Sequence, residues 1–72
     1  LGRNRDALKH LNRYLKVDPQ DVDALFLRAG ARVDVGNVEG ATSDLAVLKS
    51  KVPEAPELVE LEKRIKAARP QP

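Results

Sequence analysis

Seventy-two residues limit this chain to one small domain, which buries only ~60% of the surface its unfolded form exposes. No cysteine and a single histidine exclude disulfide staples and leave no thiolate or multi-histidine set for a structural metal. Apolar residues at 42% and charged residues at 33% describe a folded chain rather than a disordered one, and no apolar run is long enough for a membrane span or a signal core. There is no methionine, so Leu1 is not expected to be a start of translation and the sequence reads as a piece of a longer protein.

In chain order, Ala7, Leu8, Leu11, Tyr14 and Leu15 recur at helical spacing and predict a first amphipathic helix within residues 1–19. Gly2 precedes it as a turn residue, and Pro19 ends it by removing an amide donor. Asp21 is placed to cap a second helix that begins near Val22 and runs through Leu25, Phe26, Ala29 and Val33 to Gly36. A third is expected from about Asn37 to Lys51, with Val38, Ala41, Leu45 and Leu48 on one stripe, and Pro53 beyond it. Pro56 suits the first position of a fourth helix, with Glu57 and Glu60 at its positive end and Lys63, Arg64, Lys66 and Arg69 toward its negative end. Leu58, Leu61 and Ile65 give it a narrow apolar stripe, and Glu60–Arg64 and Glu62–Lys66 are expected to pair on the outside.

Shifting the sequence by 34 aligns Gly2 with Gly36, Ala7 with Ala41, Leu11 with Leu45 and Pro19 with Pro53. A small residue at Ala7 and Ala41 lets helix axes approach, and each proline closes its unit. A period of 34 with this spacing resembles the tetratricopeptide repeat (TPR). The resemblance implies an all-α fold of antiparallel helix-turn-helix repeats in a right-handed stack of about four helices. Residues 1–19 then form the second helix of a truncated repeat, 20–53 a complete repeat, 54–70 a capping helix and 71–72 a tail. The first helix of a repeat usually carries leucine, a small residue and an aromatic; here Arg28, Ala29 and Arg32 stand there. A variant of the family pairs arginine with an aspartate on the facing helix, which implies an Arg28–Asp44 ion pair, with two separately solvated charges as the alternative.

Recognisable catalytic groupings are missing, so no catalytic residue is assigned and the chain is read as non-enzymatic. Thr42, Ser43 and Ser50 have no histidine or paired carboxylate at a known spacing. His10 lies among cations and reads as an ordinary solvated or half-buried histidine. The GNVEG stretch lacks the Gly-Lys-Ser/Thr of a phosphate loop, and Glu54, Glu57, Glu60 and Glu62 alternate with bases as a solvated face does. No cofactor and no metal are expected.

A binding surface is implied instead by the resemblance. TPR first helices line a groove for an extended or helical peptide, and on the complete repeat those positions are Asp23, Phe26, Leu27, Gly30, Val33 and Asp34. They form an apolar strip with acids at both ends; the plain alternative is that Phe26 and Leu27 pack against a neighbouring helix or subunit. Phe26 and Gly30 stand where the clamp for acidic chaperone C-termini would need lysine and asparagine, so that ligand is not expected. Arg5, Lys9, Arg13 and Lys16 make a cationic stripe, part of a basic–acidic–basic division along the chain. It reads as a solvated face or a dock for an acidic protein. Too few aromatics and too small a net charge disfavour nucleic acid.

The leading expectation is therefore a protein–protein interaction module at the C-terminal end of a longer adaptor or scaffold. A second is a structural or oligomerisation segment that buries Leu8, Leu11, Tyr14 and Leu15 of the uncovered first helix against another chain, including a second copy. A third is an accessory domain of an enzyme whose active site lies elsewhere. The default compartment is cytoplasmic, with no membrane partner.

Overall fold

Each helix boundary has a local chemical cause. The computed structural model describes residues 2–68, which form α1 (Gly2–Val17), α2 (Val22–Asp34), α3 (Val38–Lys51) and α4 (Glu57–Ala68), with no strand among them. α1 stops two residues before Pro19. Asp21 then caps α2, its side chain accepting the Ala24 amide. The α2 terminus is closed by two backbone bonds, Gly36 N–H to Val33 O and Asn37 N–H to Arg32 O, wrapped around Gly36 at φ +85°. That is the six-to-one and five-to-two pattern that needs a left-handed residue, which glycine adopts without a Cβ penalty. Asn37 also begins the next element, accepting the Gly40 amide as the α3 cap.

α3 ends at Lys51, with the Val52 amide bonded back to Leu48 and Pro53 barring continuation. α4 starts at Glu57, so Pro56 lies one residue before the first helical position expected for it. Gly2 opens α1, and its proposed turn role depends on residues outside those described, as do Arg69 and the ends of the 54–70 and 71–72 segments.

α2 is the hub. It packs against α1, α3 and α4, whereas α1 touches α2 alone among the described helices. The core is built from Leu15 of α1, Ala24, Leu25 and Ala29 of α2, Ala41, Leu45 and Leu48 of α3, and Leu58, Leu61 and Ile65 of α4. Ala29, Ala41 and Leu48 are wholly buried. The alanines keep the α2 and α3 axes close, and Leu48 fills the largest fully enclosed position. Predicted outer pairs on α4 are replaced by cross-helix ones: Arg64 binds Asp34 at 2.6 Å and Glu62 binds Lys49 at 2.9 Å. Partners on α2 and α3 lie beside the buried stripe, so these side chains turn inward along the interface rather than up their own helix.

One polar group enters this interior. Asp44 is 2% exposed and takes three charge-assisted bonds, from Arg28 Nε (3.0 Å), Arg28 Nη2 (2.6 Å) and Arg32 Nη1 (3.1 Å). Arg28 also donates to Asn12 Oδ1 on α1, and Arg32 to the Gly40 carbonyl on α3. No buried side-chain polar atom among the described residues lacks a partner. Removing both arginines leaves a bare buried carboxylate, so Arg28→Ala/Arg32→Ala is expected to lose about 3–5 kcal/mol. Asp44→Ala leaves guanidinium groups that still reach water and is expected to lose less, about 2–3 kcal/mol. Urea unfolding at constant slope checks both values.

Candidate functional site

α1 and α2 diverge around an open cleft of about 520 Å³. Asn4, Ala7, His10 and Leu11 form its α1 wall, recurring every three to four residues on one helical face. Phe26, Leu27, Gly30, Ala31 and Asp34 form the α2 wall by the same spacing, and Arg64 reaches in from α4 to close one end. The Arg64 guanidinium donates to Asp34 Oδ1 at 2.6 Å and, from the same nitrogen, to the Gly30 carbonyl at 3.4 Å. A Cβ at Gly30 would sit 3.2 Å from Arg64 Nη1, a tight contact that the guanidinium relieves by moving a few tenths of an ångström.

The floor is apolar. Phe26 is half-buried and braced against the core, which fixes its ring, whereas Leu27 is 64% exposed. The two therefore differ: Phe26 is support, and Leu27 is the free apolar contact.

Of the six predicted groove residues, Phe26, Leu27, Gly30 and Asp34 line this cleft. Val33 does not: it packs against the hydrophobic core. Asp23 is exposed but outside the cleft lining. The expected acid at the far end is also changed in character, because Asp34 is paired with Arg64. The α1 wall and Arg64 were missed. The 34-residue shift carries a signal for the wall, because it pairs Ala7 and Leu11 with the buried Ala41 and Leu45, and carries none for Arg64.

The stripe proposed for oligomerisation is largely consumed within the chain. Leu15 is in the core, Leu11 packs against it and Leu8 is half-buried, which leaves Tyr14 exposed. The Tyr14 hydroxyl donates to Asp21 Oδ2, while Asp21 Oδ1 accepts the Ala24 amide. One carboxylate thus ties the end of α1 to the start of α2.

These bonds, Tyr14 first and the Ala24 amide second, hold the Asp21 carboxyl below its ordinary value; the same bond to Asp21 raises the Tyr14 hydroxyl. The Lys49 ammonium likewise lowers Glu62. Arg5, Lys9, Arg13 and Lys16 are exposed, and none joins an ion pair among the described residues. The same residues hold no group of three metal-ligating side chains, and none of their helices is long and apolar enough to cross a membrane. Thr42 donates its hydroxyl to the Val38 carbonyl, as an ordinary helical threonine does.

No family model, no curated protein and no solved structure matches this chain.

Asp21 titrates below its unfolded value, so its bonds stabilise the chain above the ordinary carboxylate range, and that contribution disappears as pH falls through the lowered value. Tyr14→Phe removes the larger cause. The Asp21 carboxyl is expected to titrate nearer its ordinary value, so the stability this group loses on acidification becomes smaller and its loss is complete at a higher pH. A ¹³C titration of the Asp21 carboxyl with paired thermal melts checks this.

Proposed function

We propose that this chain is a non-enzymatic protein–protein interaction module of the tetratricopeptide type, whose helices stack right-handedly and whose α1/α2 cleft receives a segment of another protein. The observation that carries the reading is Leu27, a large apolar side chain left 64% exposed where it lines the cleft beside the half-buried Phe26. An apolar floor with a few polar groups at its rim is the usual make-up of a recognition pocket. The 34-residue correspondence of α1 with α3 supports the repeat assignment, as do the turn glycine at Gly36 and the prolines beyond α1 and α3. No cofactor enters this reading.

Selection of a displayed random-peptide library on the immobilised chain tests it. Enriched peptides are expected to share an apolar anchor residue and to shift the amide resonances of Ala7, Leu11, Leu27 and Gly30. Leu27→Glu, on a solvent-facing side chain, is expected to keep helical circular dichroism and weaken those peptides about tenfold or more, as loss of a central apolar anchor does. Enrichment of nothing, or shifts confined to the Arg5–Lys16 face, would overturn the reading.

A further inference from the structure

The charge on α1 is arranged against the helix that carries it. Arg5, Lys9, Arg13 and Lys16 recur every three to four residues, which sets them in one row on one face. The row is about 16 Å long at the rise of an α-helix. All four side chains are exposed and none joins an ion pair among the described residues, although exposed cations elsewhere do: Lys49 holds Glu62 and Arg64 holds Asp34. Like charges one turn apart weaken a helix, and α1 has no acid in its first turn to offset Arg5 at its positive end. The stability of α1 does not account for the row.

Nor does the repeat account for it. The 34-residue shift places Arg5, Lys9, Arg13 and Lys16 over Glu39, Ser43, Val47 and Ser50 of α3. Those four are also exposed, and none is a base. α3 has packed neighbours from both directions of the chain, α2 before it and α4 after it, yet this face stays open. What becomes buried on α3 is Ala41, Asp44, Leu45 and Leu48, which correspond to Ala7, His10, Leu11 and Tyr14 on α1. A helix preceding α1 in the same pattern would lie on those residues and leave the cationic row outside.

We infer that the row is a docking surface for a short acidic segment of a partner protein, separate from the α1/α2 cleft and making no use of Leu27. Successive cations four residues apart rise about 6 Å along the helix. Side chains on one side of an extended chain recur about every 6.6 Å, so carboxylates at alternate residues match the row one to one. The row is also bounded. Asp6 adjoins Arg5, and Asp18, Asp21 and Asp23 follow Lys16 at the start of α2. A nucleic acid or an anionic bilayer extends past Lys16 and meets those acids, whereas an extended segment of about five residues ends before them.

The probe is a labelled peptide of alternating glutamate and serine, titrated into the full chain by fluorescence anisotropy, with the glutamine-for-glutamate peptide as its neutral counterpart. The acidic peptide is expected to bind and to weaken steeply as salt rises, and the neutral one to show no binding. Lys9→Gln/Arg13→Gln is expected to weaken the acidic peptide about tenfold or more. Lys63→Gln/Lys66→Gln removes the same charge from exposed positions of α4 and is expected to change it by less than about twofold. All four substitutions are at solvent-facing side chains, so helical circular dichroism is expected to be retained. In the unaltered chain the peptide is expected to shift the amide resonances of Arg5, Lys9, Arg13 and Lys16, a readout that needs no variant.

Equal weakening by the α4 variant would make the attraction one of overall charge and overturn the site. So would no binding of the acidic peptide. Tighter binding of single-stranded DNA of matched charge, or of phosphatidylserine–phosphatidylcholine vesicles, would give the row to another class of partner and overturn the acidic segment. Binding of the acidic peptide is expected to survive Leu27→Glu; its loss there would merge the row with the cleft and overturn a separate surface. Failure of the acidic peptide while library-selected apolar peptides still contact Leu27 would sink this inference alone and leave the cleft reading standing.

Discussion

The geometry of this molecule depends on a buried carboxylate held by two arginines from the neighbouring helix. Asp44 could not be enclosed alone, because desolvating an unpaired carboxylate is too costly. With Arg28 gripping it through two nitrogens and Arg32 through one, α2 has one register on α3 that satisfies all three side chains. Such a clamp contributes orientation more than net stability, since an apolar trio of equal volume would stabilise a core at least as well. Its value lies in fixing the hub, and through α2 it fixes the walls of the cleft. Phe26 and Leu27 are presented to α1 because Arg28 and Arg32 are committed to α3.

The clamp also constrains the α2–α3 turn. Arg32 lies across the start of α3 to reach the Gly40 carbonyl, and a Cβ at Gly40 would meet Arg32 Cδ at 3.0 Å and Asn37 Nδ2 at 2.5 Å. Glycine at that place is required by packing, whereas glycine at position 36 is required by its positive φ and has open space around it. Two glycines four residues apart thus answer two different physical demands. Together with Asn37 they let a five-residue neighbourhood serve as terminus, cap and arginine bed at once.

Much of the architecture was legible because its causes are local. Asp21 as a cap, Gly36 as a turn residue, and the prolines after α1 and α3 act through the backbone within a few residues, so the number of helices and their limits could be read directly. The apolar stripe of α4 was equally plain, since Leu58, Leu61 and Ile65 are its sole large buried residues. Side-chain partners were harder. Arg64 and Glu62 each have an opposite charge one turn away in sequence, yet both take partners on another helix, because tertiary distance outranks sequence distance once α4 has docked. The cleft shows the same limit. Val33 and Leu27 both looked like groove residues, and only the rotation of α2, set by its arginines, sends one into the core and the other to solvent.

Asn37 is the third residue past the end of α2 and the cap of α3, its amide serving one helix and its side chain the other. Those helices consequently cannot fray independently. Opening the last turn of α2 releases the Asn37 backbone and with it the first turn of α3, so the hairpin opens and closes as one cooperative unit. Its contacts join residues close in sequence, the kind of loop that closes quickly. The end of α2 and the start of α3 are thus coupled through a single residue.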